Sequence, residues 1–184
     1  VFPVEHHLEI GGQSFTFVDR VVEVIDDPVR GEIRRSLEVI SPVSLRFPQD
    51  LELFAPGSQR TVAVEVTAAR GDLEGAILLA TPDGWTAAPA SQAFKLGQAG
   101  ARTRLLFTVT APASTGSAQL GAVARVAGQT FLSGRVDLRY EHIPAQLLQP
   151  RAQARVVSLD LAVRARSVGY LPGAGDLVAY HELK

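Results

Sequence analysis

With 184 residues, a net charge of -1 and acids interspersed with bases, the chain has room for one domain, or one domain with pieces of its neighbours. No basic stripe offers an electrostatic footprint for nucleic acid, and no apolar run reaches the length of a membrane span. The absence of cysteine excludes disulfides, thiolate catalysis and Cys-ligated metal. A chain without methionine, whose first residue already reads as structured, is expected to be a processed or excised piece.

In chain order, residues 1–42 read as the terminal hairpin of a preceding β-sandwich plus a linker. The reason is an internal repeat: Gly12-Gln13-Ser14-Phe15 recurs as Gly128-Gln129-Thr130-Phe131, 116 residues later (position 12 to position 128). The flanks keep their apolar parity at that offset. Leu8 and Ile10 match Ala124 and Val126, Val22 and Val24 match Leu138 and Tyr140, and Pro28 matches Pro144. Parity matters because a one-residue slip turns a strand inside out. A hairpin without its sandwich leaves an open sheet edge, so a homodimer through such edges is expected.

Residues 43–142 read as one complete sandwich. Apolar residues alternate with polar or small ones in Val62, Val64 and Val66, in Leu105, Phe107 and Val109, and from Ala118 to Val126. Val136, Leu138 and Tyr140 continue the habit. Ala55-Pro56-Gly57-Ser58, Arg70-Gly71-Asp72, Pro82-Asp83-Gly84, Gly97 to Gly100 and Pro112 to Gly116 punctuate the runs with turn chemistry. Ala127-Gly128 is a two-residue break that predicts a hairpin. The fold class is therefore all-β, an immunoglobulin-like β-sandwich of antiparallel strands. Its expected core is Val62, Val64, Val66, Ile77, Leu79, Leu105, Phe107, Val109, Leu120, Val126, Val136 and Leu138.

Residues 143–184 read as a linker and the first strand of a following domain. Val157, Leu159, Leu161 and Val163 alternate, Ser167 to Leu171 predicts a buried strand ending in a Gly-rich turn, and Asp176 to Lys184 a short helical turn.

Three stretches carry a family resemblance. They are Asp27-Pro28-Val29-Arg30-Gly31-Glu32 with Leu37-Glu38-Val39 and Pro42-Val43-Ser44; Pro82-Asp83-Gly84-Trp85 with Phe94, Leu105, Phe107 and Val109; and His142-Ile143-Pro144 with Pro150, Val168-Gly169-Tyr170 and Gly173-Ala174-Gly175-Asp176. In this order they resemble the region downstream of the catalytic domain in large bacterial PIG-L/LmbE-like deacetylases. The middle part is similar to the galactosidase-associated immunoglobulin-like domain family. The resemblance implies a parent that is an exported (secreted, periplasmic or cell-surface) zinc-dependent hydrolase removing acetyl from an N-acetylglucosamine-type sugar. The family's His-Pro-Asp-Asp metal motif has no match here, so no catalytic or metal residue carries over and zinc is expected only in the missing catalytic domain. What carries over is a non-catalytic accessory role, with other domains of the parent chain as partners.

Few side chains suggest chemistry. Trp85 and Tyr140 are the candidate carbohydrate contacts, since an exposed aromatic face can stack on a sugar; a Trp packed on the sandwich is the plainer expectation for position 85. His6 and His7 sit side by side on a strand, which points them to opposite faces and away from a shared metal. Asp26, Asp27 and Glu32 lack the spacing of a calcium loop and read as turn chemistry. Arg34, Arg35, Arg151, Arg155, Arg164 and Arg166 read as a solvated face rather than an anion site. Gly173 and Gly175 lack the third glycine of a dinucleotide cradle, with Val178 in its place. No Gly-x-Ser-x-Gly elbow is present.

Overall fold

A computed structural model describes residues 3–29, 31–140, 143 and 145–161. They form sixteen strands and, among the described residues, no helix. The expected strand, Gly-rich turn and helical turn of the tail lie outside the described residues.

Two sheets build the body. The first contains β5 (Val43–Arg46), β7 (Gln59–Ala68), β11 (Arg102–Thr110) and β9 (Thr86–Ala88), in the order β5-β7-β11-β9. Every pair in it is antiparallel. The second runs β10 (Gln92–Leu96), β8 (Leu73–Ala80), β12 (Gly116–Val126), β16 (Gln153–Ser158), β6 (Leu51–Phe54). It is antiparallel except for β16 beside β6. A short β13 (Gln129–Phe131) pairs with the far end of β12.

Both sheets contribute to one hydrophobic core, the arrangement of a β-sandwich. The two-residue period explains why: Val62, Val64 and Val66 of β7, Phe107 and Val109 of β11, and Leu120, Ala122, Ala124 and Val126 of β12 are all buried. Ile77 joins them, while Leu79 and Leu105 are half-buried against the same core. Gly75 sits where β8 runs close to β12. A Cβ there would collide with the Arg125 carbonyl oxygen, so the approach of the two backbones depends on glycine.

Three sequence expectations need correction. Val136 is not core: it is 41% exposed, and Leu138 is half-buried. They lie on β14 (Val136–Leu138), which pairs with β15 (Gln146–Leu148) in a separate two-stranded sheet. The chain leaves the body after β13 and returns at β16. The neck of this excursion is closed by the Ser133–Arg151 bridge and by the Ala152 amide donating to the Leu132 carbonyl at 2.8 Å. Second, the body does not stop at residue 142, because β16 fills the gap between β12 and β6. Third, β16 turns Ala154, Val156 and Ser158 inward, while Leu161 lies 62% exposed beyond it. Leu120 faces Ala154, and that register selects the inward set; Val156-Val157 reads as apolar in either parity.

Two further hairpins precede the body. β1 (Pro3–Ile10) pairs with β2 (Gln13–Arg20), and β3 (Val22–Asp27) with β4 (Gly31–Ser36). The repeat is visible in three dimensions. Leu8 faces Phe15, Glu9 faces Ser14 and Ile10 faces Gln13; in the body, Ala124 faces Phe131, Arg125 faces Thr130 and Val126 faces Gln129. Both turns have two residues at positive φ, Gly11 and Gly12 at 59° and 79°, Ala127 and Gly128 at 48° and 78°. That is the two-residue turn whose twist suits a hairpin. The Gln149 side chain holds the segment after β4, donating to the Val39 carbonyl at 2.8 Å and accepting from the Ser41 amide at 3.4 Å.

Candidate functional site: a bare apolar sheet face

The two aromatic candidates part company. Trp85 follows a tight turn closed by its own amide donating to the Pro82 carbonyl at 3.1 Å. Its ring is 6% exposed and meets Phe54 edge-on, with centroids 4.9 Å apart and an interplanar angle of 85°. This anchors β6 against the core and leaves no open face for a sugar. Tyr140 lies just beyond β14 and is 57% exposed. The structure therefore does not bring Trp85 and Tyr140 together as a platform.

The polar candidates are dispersed as well. His6 faces Phe17 across the first hairpin. His7, on the opposite side, has Nδ1 3.1 Å from Thr16 Oγ1 and Nε2 3.6 Å from a Glu5 carboxylate oxygen. Asp26 faces Glu32 across the second hairpin, whereas Asp27 points the other way and accepts the Val29 amide at 2.9 Å. Glu32 is paired with Arg34 at 2.6 Å, and that hydrogen bond holds the guanidinium more firmly charged. Among the described residues no three His, Asp or Glu side chains gather as a metal set. Arg35 faces Glu23, and an Arg155 nitrogen lies 3.5 Å from Ser117 Oγ. Arg164, Arg166, Gly173 and Gly175 lie outside the described residues. Burial raises the pKa of the Glu52 carboxyl on β6 from its ordinary value, partly offset by Arg60.

An open, shallow depression of about 640 Å³ lies over Glu74, Gly75, Ala93, Phe94, Lys95 and Ala127. A cavity of about 40 Å³ lies between Ile40, Val43, Thr67, Ala69, Gly134 and Gln149. That is room for one or two waters, far below the several hundred Å³ of a ligand pocket.

What stands out is a surface the sequence reading passed over. Opposed residues of an antiparallel pair share a face, so Val4, Leu8, Ile10, Phe15 and Phe17 lie on one side of the first hairpin. All five are exposed, Leu8 at 47%, Ile10 at 64% and Phe17 at 54%. The other side carries Glu5, His7, Glu9, Ser14, Thr16 and Arg20 with Val18. The signal was present as apolar–polar alternation, interrupted by His6 and by Val18-Asp19, in a segment assigned to a neighbouring domain. In the β12–β13 hairpin the matching side, with Ala124 and Val126, is buried and Phe131 packs against the core.

Compared with known proteins, the chain matches no family model and no curated sequence. Among the described residues no helix is long and apolar enough to cross a membrane.

Proposed function

We propose that the chain is a non-catalytic structural module that spaces or docks the domains of a larger exported protein. The strand order of two parts of the body supports reading it on an immunoglobulin-like plan. The order β5-β7-β11-β9 corresponds to A-B-E-D of that plan, and β8-β12-β16 to C-F-G. One observation carries the role. The same hairpin occurs twice in the same register, once with its apolar face packed in a core and once with that face bare. A bare apolar sheet face is a surface for packing against another sheet.

The sequence resemblance supports a parent of the PIG-L/LmbE-like type, in which zinc chemistry on an N-acetylated sugar belongs to a separate catalytic domain. The secreted, periplasmic or cell-surface location rests on the same resemblance. A carbohydrate-binding role is the alternative, and exposed Tyr140 is the candidate contact that favours it. Titration of the labelled chain with N-acetylglucosamine oligosaccharides, followed by NMR, separates the two. The structural role predicts no saturable shift changes. Saturable changes centred on Tyr140 and lost in Tyr140→Ala would overturn it.

A further inference from the structure

We propose that the apolar face of the β1–β2 hairpin is a self-association surface, occupied by the same face of a second copy of this chain. The inference rests on the docking role above and names the partner. The body hairpin β12–β13 shows what such a face requires, because its counterpart residues pack under an opposing apolar sheet. A two-stranded hairpin is marginal by itself and gains stability from a cover of that kind. Among the described residues, the sheet face with this composition that lies uncovered is the hairpin's own. A second copy therefore brings the surface that the first one needs.

Symmetry and charge fit this arrangement. A two-fold axis along the strands stacks β1 of one copy over β2 of the other at equal height. Leu8 then lies over Phe15 of the other copy, and His6 over Phe17. The face carries two titratable groups, His6 and Asp19, both toward the end away from the turn. The same axis sets the imidazole of each copy toward the Asp19 end of the other, twice per dimer, so a hydrogen-bonding ring meets a carboxylate. Residues of like charge do not face each other. With five side chains from each copy, the contact buries roughly 1,000 Å² in total, the lower end of specific interfaces. The dimer is expected in the micromolar range, with a dissociation constant of about 1–100 μM.

The test is sedimentation equilibrium of the whole chain from about 1 to 500 μM, a span that brackets such a constant. The fitted mass should rise toward twice that of the chain. Phe17→Ser should hold it at one chain mass throughout, and Thr16→Ala, on the opposite side of the same strand, should leave dimerisation intact. The hairpin contributes no residue to the body's core, so the emission of buried Trp85 reports an intact fold in every variant. A strict monomer at all concentrations overturns the proposal, as does a dimer that Phe17→Ser leaves unchanged. A monomer that binds bis-ANS through this face also overturns it while showing the face open to a different polypeptide segment. That last outcome preserves the docking role, whereas oligosaccharide binding at Tyr140 would remove the role and leave dimerisation standing.

Discussion

Replacing Phe107 by alanine opens a void at the centre of the first sheet. The ring is fully buried on β11, opposite Val62 of β7, with β9 on its other flank. Strands on both sides leave little freedom for collapse. A lost volume of roughly 100 Å³ at about 24 cal/mol per Å³ costs about 2.4 kcal/mol, and the transfer loss adds about 2. The expected destabilisation is thus about 4 kcal/mol, a large share of the ~5–15 kcal/mol that holds a domain together. In urea, with a slope of about 1.5 kcal/mol per M, the midpoint should fall by 2–3 M at unchanged slope. The single tryptophan, buried against Phe54, supplies the fluorescence signal. Val136→Ala is the matched control. Sequence periodicity treats both residues as core, yet Val136 lies on the β14–β15 excursion and should lose less than about 1 kcal/mol. A Phe107→Ala loss below about 1 kcal/mol, or equal losses at the two positions, would refute the placement of the core.

Three other substitutions probe the body. Gly75→Ala drives a methyl group toward the Arg125 carbonyl and should cost about 2 kcal/mol or more in the same urea titration. Ser158 Oγ is buried with no hydrogen-bond partner among the described residues, so Ser158→Ala should raise stability by about 1 kcal/mol; a loss would reveal a hydrogen bond to that hydroxyl. Glu52 has a folded-state pKa raised by burial, so its contribution to stability is fully present below the ordinary glutamate value and is lost as pH rises through the folded value. Glu52→Gln should therefore be the more stable protein at pH 7, with the advantage shrinking as pH is lowered through the carboxylate range. An advantage that does not vary with pH would mean that the carboxyl is not desolvated.

The all-β body was legible because several of its strands alternate apolar residues with polar or small ones. Val62, Val64, Val66, Phe107, Val109, Leu120 and Val126 are core for the reason the alternation gives. The Ala127-Gly128 turn and its earlier counterpart were legible from two-residue spacing. β16 was not, since Ala152 and Ala154 are small and Val156-Val157 is apolar in both parities; only pairing with Leu120 and its neighbours selects a side. The excursion through β14 and β15 was equally hidden. Alternation states that a strand has two faces, but not which sheet the strand joins, so Val136 read as core. Trp85 and Tyr140 were found as aromatics, and their opposite fates follow from tertiary position: one meets Phe54 under β6, the other extends past β14.

Amide hydrogen exchange on the whole chain, read at low and high protein concentration, compares the paired hairpins directly. Amides of β12 and β13 should be protected alike at both concentrations, because their cover lies within the body. Amides of β1 and β2 should exchange orders of magnitude faster in dilute solution and slow as concentration rises. Equal, concentration-independent protection in the two hairpins would mean that the first is already covered within its own chain, and the docking face would not exist.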